Sequence, residues 1–468
     1  MNRAVASLAL LLGCVGEPGG AREQKQQQQQ QQQPAQPAGS AVTAAGSSSG
    51  SGSVVTVAAG SGAGSGSAAT VAAGSGAGSG SAAAADAGTG AGSAADGAGS
   101  PHDTLTLTRV TFAELPGWAD DKHAEALGSF LRSCEQIGKL ADTAPVGHDG
   151  HGGVAKQWRG ACAAAAKVKP GDHAAARAMF EAQLTPFSAA GAKGPEGLFT
   201  GYCVQELRAS RRRGGKYQHP LYARPKDLVM VDLSQFVKDA RGRRIWGRID
   251  GKGELVPYHT RQEIRRGVLD GRGLELVYAD SPIDALFAHI EGTAKVRLDD
   301  GKEIWLGFAG KNGRAFRGVG GVLKAMGAFK PPAVGTMQDI RAWLEANPER
   351  FDEIADQSPS YVFFQENPRA GAIGSQMVVL TPRRSLAIDR AFVALGTPIW
   401  VDTKAPLPDR PGVAPWRRLV IAQDTGGAIL GAVRGDIYWG DDARAADIGG
   451  RTGGKGRYWL LLPSGVTK

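Results

Sequence analysis

The chain has 468 residues and a formal net charge of +9, and by length alone it has room for two or three domains. Many of its 68 glycines precede Pro101, and residues 23–102 contain almost no large apolar side chains. Such a stretch cannot bury enough apolar surface to offset the entropy lost on ordering. This excludes a globular domain before Pro101 and predicts a long disordered N-terminal tether, with the globular part beginning near Leu105.

Residues 1–14 have the pattern of a lipoprotein signal peptide that ends in a lipobox. Arg3 supplies a short positive region, and the apolar run of residues 4–12 is shorter than the about 20 residues that span a bilayer. Cys14 closes this run after Leu-Leu-Gly, so we expect the signal to be removed and Cys14 to be lipidated. An ordinary signal peptide with a chance cysteine is the alternative. No other segment is apolar enough to cross a membrane.

Residues 15–104 form a low-complexity linker rich in Gln, Gly, Ala and Ser. A glutamine run covers residues 24–33, and the sequence TVAAGSGAGSGSAA occurs at residues 56–69 and again at residues 70–83. Repeats of small residues have no side chains with which to stack, so a flexible coil is predicted. Such a coil would let an anchored protein work at a distance from its membrane. The alternative is a repeat expansion without a selected role.

Residues 120–140 and 153–167 have apolar side chains at helical spacing, and Cys134 and Cys162 lie on the apolar faces. Because an exported protein meets oxidising conditions, we predict a disulfide between them, worth about 3–4 kcal/mol on the loop-entropy estimate. Cys203 would remain a buried free thiol. The chain has no CxxC pair and its histidines are scattered, so neither a metal site nor a cofactor is expected.

The moderate excess of basic residues includes one dense cluster, Arg211–Arg213. A basic cluster can indicate nucleic-acid binding, but the export signal argues against that partner. We therefore interpret the cluster as a solvated surface loop and expect no nucleic-acid partner. A mild positive field would instead help the protein settle on the anionic cell-wall polymer.

The chain after the helices is rich in short strand signals. Alternating apolar residues within 298–308 surround Asp300-Gly301, which is typical of a hairpin. Thr260 and Glu263 form a capping box for a short helix, and residues 274–278 are a strand candidate. Later short apolar runs, separated by Gly, Pro and Asp, predict a small closed barrel. These runs are Tyr361–Phe364, Pro398–Val401, Leu419–Ala422, Ile437–Trp439 and Tyr458–Leu462.

The densest candidate for catalytic chemistry lies within residues 421–442. Cleavage of a glycan outside the cell needs a carboxylic acid that protonates the departing glycosidic oxygen. Asp424 closes an apolar strand that would raise its pKa, and the glycines after it let a sugar approach the backbone. Asp436 precedes Tyr438 and Trp439, on which a sugar could stack. The alternative is that both aspartates are turn or capping residues.

Seven motifs occur in one order along the chain. They are FTGY from Phe199, AGKNG from Ala309, SPSYVFF from Ser358, LTPRRSLAIDR from Leu380, LGTPIWVDT from Leu395, AQDTGGAI from Ala422 and RGDIYWG from Arg434. In these motifs and their order, the chain resembles the membrane-bound lytic murein transglycosylase A family, and the resemblance covers roughly residues 105–468.

The resemblance implies a mainly β protein with N-terminal helices, in which a double-psi β-barrel carries an inserted second β-domain. Residues 105–204 would hold the helices and the first part of the barrel, residues 205–330 the insert, and residues 331–468 the catalytic part of the barrel. A groove between the two domains would hold the glycan. The resemblance places the catalytic aspartate at Asp424 and a supporting one at Asp436. The expected substrate-binding residues are Thr200, Tyr202, Glu291, Gly292, Thr293, Lys311, Asn312 and Tyr438.

The resemblance further implies a lytic transglycosylase, which cleaves the bond between N-acetylmuramic acid and N-acetylglucosamine and leaves a 1,6-anhydro end. A non-catalytic peptidoglycan-binding barrel and a true murein hydrolase are the alternatives. The expected location is the outer membrane facing the periplasm. Its expected partners are peptidoglycan strands and the membrane through the lipid anchor, with cell-wall synthesis or division proteins as candidates.

Three positions depart from the family's pattern. Gln is usual at Glu291, a second aromatic residue at Cys203, and a basic residue at Leu430. Because none of these positions is Asp424, the implied reaction class stands, while the preference among sugar subsites is open.

Overall fold

The computed structural model describes residues 103–148, 150–237, 244–330 and 335–466. The expected signal peptide, the lipidation of Cys14 and the linker of residues 15–104 therefore lie almost entirely outside the described residues. Within the described part of the chain, no helix has the length and apolar composition needed to span a bilayer.

The helices begin with a cluster in residues 124–183 and continue through the middle of the chain. They are α1 (Ala124–Gly138), α2 (Ala155–Ala165), α3 (His173–Gln183), α4 (Arg261–Arg265), α5 (Pro282–Glu291), α6 (Val319–Ala325), α7 (Met337–Ala346), α8 (Phe351–Asp356) and α9 (Ala443–Arg451).

The strands are mostly short and occur on both sides of the central helices. They are β1 (Thr106–Arg109), β2 (Leu184–Ala190), β3 (Gly197–Tyr202), β4 (Gln205–Ser210), β5 (His219–Tyr222), β6 (Val229–Asp232), β7 (Arg244–Ile249), β8 (Leu255–Val256), β9 (Glu275–Ala279), β10 (Ala294–Leu298), β11 (Glu303–Lys311), β12 (Val362–Glu366), β13 (Ser385–Ala387), β14 (Pro398–Pro406), β15 (Val413–Asp424), β16 (Arg434–Tyr438) and β17 (Gly453–Pro463).

Six strands close into a barrel in the order β17, β14, β15, β13, β16 and β3, because β3 also pairs with β17. The pairings of β13 with β15 and of β3 with β16 are parallel, and the others are antiparallel. The central residues of the long strands are apolar and fully buried, as at Trp400, Leu419 and Leu460. Trp400 and Leu419 are paired across β14 and β15 and lie on one face of the sheet, where Trp400 packs on Trp118. Leu460 is paired with Ile399 and lies on the other face. Both faces of the barrel wall are therefore buried, which stabilises it. The predicted double-psi barrel is confirmed.

The insert between β3 and β13 contains a second sheet, in the order β12, β11, β10, β4, β9 and β5. A parallel bridge between Ala223 and Phe364 brings its two edges together. The predicted hairpin around Asp300-Gly301 is the antiparallel β10–β11 pair, where Gly301 has a φ of +83°. Strands β6, β7 and β8 form a separate small sheet.

The insert extends further along the chain than residue 330, where the sequence placed its boundary. Residues 361–364 were expected among the barrel strands, but β12 pairs with β11 and so belongs to the insert. A short apolar run shows that a strand is present, but its partner is decided by tertiary contacts that no local pattern contains.

Helices α1, α2 and α3 pack on the outside of the barrel and share its apolar core. A disulfide joins Cys134 of α1 to Cys162 of α2, with the Cα atoms 5.6 Å apart, and Cys203 is a buried free thiol. Asp121, just before α1, forms a buried ion pair with Arg384 at the start of the barrel's second half, at 2.7 Å. These contacts fix the helices against the strands that carry the candidate site.

Candidate active site

Asp424 is the last residue of β15, at the point where the strand leaves the barrel wall. The preceding residues 420–423 are fully buried, whereas Asp424 is half-buried and lines a cavity of about 160 Å³ that opens to solvent. One wall consists of barrel loops, and the other comes from the insert. The barrel contributes Ile373, Gly374, Ser375, Met377, Ile388, Asp389, Arg390, Thr425, Gly426, Gly427, Ile429 and Leu430, and the insert contributes Glu291, Gly292, Thr293, Gly307, Phe308 and Gln365 together with Asn367 just after it.

The two carboxyl oxygens of Asp424 have different hydrogen-bond environments. Oδ1 accepts three hydrogen bonds at 2.9 Å each, from the backbone N–H and the hydroxyl of Ser375 and from the backbone N–H of Thr425. Oδ2 accepts one hydrogen bond, from the hydroxyl of Tyr202 at 2.8 Å. The carboxyl group is therefore fixed in orientation, and Oδ2 is the oxygen with a lone pair to spare.

Burial raises the pKa of Asp424 above its ordinary value, and the hydrogen bonds from Ser375, Thr425 and Tyr202 offset only part of that rise. Burial and the neighbouring Asp424 carboxylate raise the pKa of Tyr202 well above its ordinary value as well. The tyrosine therefore stays protonated and remains a hydrogen-bond donor. The site favours a neutral carboxylic acid at Asp424 over a wider pH range than water would.

Asp436 lies in the middle of β16 and is fully buried. Its Oδ1 accepts a hydrogen bond from the Thr200 hydroxyl at 2.6 Å, and that hydroxyl accepts one from Arg434 at 2.9 Å. Burial raises the pKa of Asp436, although the Arg434 guanidinium works in the opposite direction. Because Thr200 and Tyr202 are on the same strand, Asp436 fixes the strand that presents the Tyr202 hydroxyl to Asp424.

Glu291 enters the cavity from the insert, as the last residue of α5. Gly292 follows with a φ of +70°, a left-handed conformation that suits glycine and ends the helix. The Oε2 atom of Glu291 is buried without a hydrogen-bond partner among the described residues. Burial, together with the charges of Asp436 and Asp424, raises the pKa of Glu291 well above its ordinary value.

A buried polar network fixes the strand immediately before Asp424. The amide nitrogen of Gln423 donates to the carbonyl of Ser129 at 2.8 Å and to the hydroxyl of Ser133 at 2.9 Å, both in α1. Its Oε1 accepts a hydrogen bond from the Ser385 hydroxyl at 2.6 Å. A network with its polar atoms satisfied is rigid, so the end of β15 has one defined position.

Comparisons with known proteins agree with this architecture. The MltA specific insert domain matches residues 198–365, and the 3D domain matches residues 384–462. The solved structure of a membrane-bound lytic murein transglycosylase from Agrobacterium tumefaciens is 30% identical in sequence, with a TM-score of 0.67. That match covers 76% of this chain and 98% of the other. This chain belongs to the membrane-bound lytic murein transglycosylase A family.

A sequence and a solved structure from Escherichia coli extend the comparison. Membrane-bound lytic murein transglycosylase A of strain K12 is 32% identical over 268 residues, which are 56% of this chain and 65% of that protein. The chain thus spans slightly less than two thirds of the length of that relative. The crystal structure of E. coli MltA with bound chitohexaose is 27% identical, has a TM-score of 0.52, and is matched over 72% of this chain and 90% of that one.

In this member of the family, the structure brings most of the predicted site residues together. Gly292 and Thr293 line the cavity beside Glu291. Thr200, Tyr202 and Tyr438 are buried behind Asp424 and are not among the residues that line the cavity, so they do not present a surface on which a sugar could stack. The rings of Tyr202 and Tyr438 lie 5.3 Å apart, measured between centroids. Leu430, a departure from the family's pattern, lines the same cavity and is exposed.

Lys311 and Asn312 lie apart from the residues that line this cavity, although the sequence grouped them with the substrate-binding residues. Both are buried at the end of β11. The amide nitrogen of Asn312 donates to the carbonyls of His259 and Pro359 at 2.8 and 2.7 Å, and its Oδ1 accepts from the backbone N–H of Tyr361 at 2.9 Å. The Asn312 side chain thus ties loops of the insert together.

Ser375 is the main contributor to the site that sequence reasoning missed. It lies about fifty residues before Asp424, in a loop with no strand or helix signal. The one available signal is Gly374, where an added Cβ would lie 2.5 Å from the carbonyl oxygen of Gln423. Glycine permits the close approach that puts the Ser375 N–H within reach of Asp424.

The described residues contain no group of three His, Cys, Asp or Glu side chains placed to hold a metal ion.

Proposed function

We propose that this protein is a lytic transglycosylase, which cleaves the β-1,4 bond between N-acetylmuramic acid and N-acetylglucosamine and forms a 1,6-anhydro end. The observation that carries the proposal is a fixed carboxyl group at Asp424, with a raised pKa, that opens onto a cavity between barrel and insert. Family membership supports it, as does the chitohexaose bound by the E. coli relative. A neutral acid beside a glycan is the arrangement that protonation of a glycosidic oxygen requires.

The hydrogen bonds indicate which oxygen delivers the proton. Oδ1 of Asp424 already accepts three hydrogen bonds, so a proton on it would displace a donor. Oδ2 has only the Tyr202 hydroxyl as a partner. The acidic proton therefore resides on Oδ2. After its transfer, the Tyr202 hydroxyl stabilises the carboxylate that forms.

The reaction then needs one carboxyl group in two successive roles. Oδ2 of Asp424 gives its proton to the bridging oxygen, and the bond from that oxygen to C1 of the muramic residue breaks. The C6 hydroxyl of the same residue forms a new bond to C1, and its proton returns to Asp424. No water is consumed, and intramolecular attack has a large effective concentration.

Asp436 and Glu291 have supporting roles in this proposal. Asp436 is fully buried and does not line the cavity, so it acts through Thr200 on the position of Tyr202. Glu291 lines the cavity, and its raised pKa favours the neutral form, whose hydroxyl can donate a hydrogen bond to a sugar oxygen. Gly292 and Thr293 line the cavity beside it and complete the sugar-binding surface from the insert.

We also propose that the protein works at the cell envelope, anchored through a lipid on Cys14 and facing the periplasm from the outer membrane. The names of the relatives include the word membrane-bound, which supports association with a membrane. Peptidoglycan strands are the proposed partner, with cell-wall synthesis or division proteins as further candidates. Metabolic labelling with a radioactive fatty acid, compared between the natural chain and Cys14→Ser, tests the anchor. Equal labelling would contradict it.

Digestion of purified murein sacculi tests the proposed reaction. The soluble fragments are separated and weighed by mass spectrometry, and a transglycosylase yields anhydro ends, whereas a hydrolase yields products heavier by one water. Anhydro products from the natural chain, absent with Asp424→Asn, are the expected result. Water-added products would favour a hydrolase, and binding to sacculi without soluble fragments would favour a non-catalytic glycan-binding barrel.

A further inference from the structure

A second cavity, of about 430 Å³, lies within the insert and shares no lining residue with the cavity at Asp424. It is lined by residues of α4, α5, α8, β5 and β9. The rings of Tyr222, Tyr278 and Tyr361 form part of its wall, and those of Tyr222 and Tyr361 lie 6.4 Å apart between centroids. Aromatic walls of this kind are typical of sites that hold small organic ligands.

Arg261 supplies a cation at this cavity that forms no ion pair with the residues that the structure describes, although the charge of Asp356 acts on it from a distance. Its guanidinium carbon lies 5.2 Å from the centroid of the Tyr361 ring, and its Nε donates to the carbonyl of Ser358 at 3.3 Å. Its two Nη groups form no ion pair or hydrogen bond with any residue that the structure describes. The carboxylate of Asp356, which is near, is instead paired with Arg265 at 2.5 Å.

A half-buried guanidinium without an anion is unfavourable, because the lost hydration is not replaced. Burial lowers the pKa of Arg261, which is the direction expected of a cation that lacks compensation. The unused Nη donors provide the fork geometry that matches a carboxylate in two parallel hydrogen bonds.

His289 gives an independent indication of a ligand in the same cavity. It is only 6% exposed, and its Nδ1 is buried without a hydrogen-bond partner among the described residues. The imidazole also hydrogen-bonds to the backbone of Val362, and burial lowers its pKa well below the ordinary value. A neutral imidazole that donates one N–H to a carbonyl has a lone pair on its other nitrogen, so Nδ1 can accept a hydrogen bond from a ligand.

We propose that this cavity is a binding site for a small carboxylate-bearing ligand. The carboxylate pairs with the Nη groups of Arg261, a hydroxyl or N–H of the ligand donates to Nδ1 of His289, and the apolar part packs on Tyr222 and Tyr361. The C-terminal carboxylate of a short peptide and the carboxylate of an acidic amino sugar both have this chemistry. Asp270 and Glu275, which also line the cavity, would favour the peptide through its ammonium group.

The site is independent of the proposed reaction at Asp424, so its test uses binding rather than turnover. Isothermal titration calorimetry on the full chain carrying Asp424→Asn compares two matched pairs of probes. The first pair is alanylalanine and its C-terminal amide, and the second is N-acetylmuramic acid and N-acetylglucosamine. In each pair only the first compound has a carboxylate.

We expect at least one acid to bind about tenfold or more tightly than its matched neutral probe, as is typical of a charge-assisted hydrogen bond. The preferred acid identifies the source as peptide or sugar. Arg261→Gln should abolish this preference, while Arg297→Gln should retain it, because Arg297 is exposed and paired with Glu206 away from the cavity. Protection of α4 and α5 in hydrogen exchange should accompany binding.

The proposal is overturned if neither acid is preferred over its neutral partner, or if the preference survives Arg261→Gln. Should Arg261→Gln fail to fold, Arg261→Lys replaces it, with weaker binding expected because a single ammonium cannot form the paired hydrogen bonds. Equal binding to Arg261→Lys would then contradict the proposed contact.

Discussion

Asp424 of the barrel and Glu291 of the insert line the same cavity, but their carboxyl groups are held in opposite ways. Asp424 accepts four hydrogen bonds from three residues, whereas Oε2 of Glu291 has no partner among the described residues. Burial raises the pKa of both, with the rise at Asp424 partly offset by its donors. A carboxyl group held by four hydrogen bonds, like that of Asp424, has the fixed orientation that proton transfer needs. The unpaired oxygen of Glu291 is instead available for a hydrogen bond with the substrate.

The largest effect is expected from Asp424→Asn. Asparagine can accept the same hydrogen bonds at Oδ1 and fits the same space, so the fold should be retained, but it has no proton to give. We expect kcat on glycan strands to fall by about a thousandfold or more, in line with the loss of a general acid. Turnover of sacculi measures the loss of activity, and circular dichroism measures whether the fold is retained. Substantial activity in a folded Asp424→Asn protein would refute the assignment.

The sequence was sufficient for the elements that local pattern determines. The hairpin at Asp300-Gly301, the capping box at Thr260 and the disulfide partners all follow from short-range spacing, and the structure contains each of them. Asp424 was found because it ends an apolar strand and precedes glycines. Ser375 was not, because its contact depends on a loop brought close by tertiary structure.

The same dependence on tertiary contacts explains why the sequence placed the end of the insert too early and gave no sign of the second cavity. The β11–β12 pairing and the approach of Arg261 to Tyr361 join segments far apart in sequence. Pattern shows which residues are buried in a strand or helix, but not which distant element buries them.

The next largest effect is expected from Tyr202→Phe, which removes the donor to Oδ2 and keeps the ring. Loss of a hydrogen bond to a carboxylate should lower kcat by roughly ten- to a hundredfold. It should also raise the pKa of Asp424 further, because that bond works against the effect of burial. Steady-state rates measured against pH report both changes. An unchanged kcat would show that Oδ2 is not the working oxygen.

For Glu291→Gln, the expected change is in the pH dependence of stability rather than in the rate of the reaction. The folded-state pKa of Glu291 is raised, so the folded protein loses stability relative to the unfolded chain as pH rises from the ordinary glutamate value through the raised one. Glutamine removes this loss, so the melting temperature should depend less on pH over that range. The control is Glu349→Gln, an exposed acid. An identical pH dependence in natural and Glu291→Gln chains would contradict the raised pKa.

The smallest effect is expected from Ser375→Ala. The backbone N–H of Ser375 still donates to Oδ1, so Asp424 loses one donor of the three on that oxygen. We expect kcat to fall by a few-fold, at the lower end of what one hydrogen bond contributes. A loss as large as that of Tyr202→Phe would show that the hydroxyl, rather than the whole set of donors, fixes the carboxyl group.

The most direct test of the central claim is the pH dependence of kcat/KM for the natural chain on soluble glycan strands, which reports the free enzyme's essential acid. If Asp424 must be neutral, activity falls as pH rises through its raised pKa. This fall should persist in Glu291→Gln and move to higher pH in Tyr202→Phe. Activity that instead rises with pH across that range, or a fall that disappears with Glu291→Gln, would contradict the assignment of Asp424 as the acid.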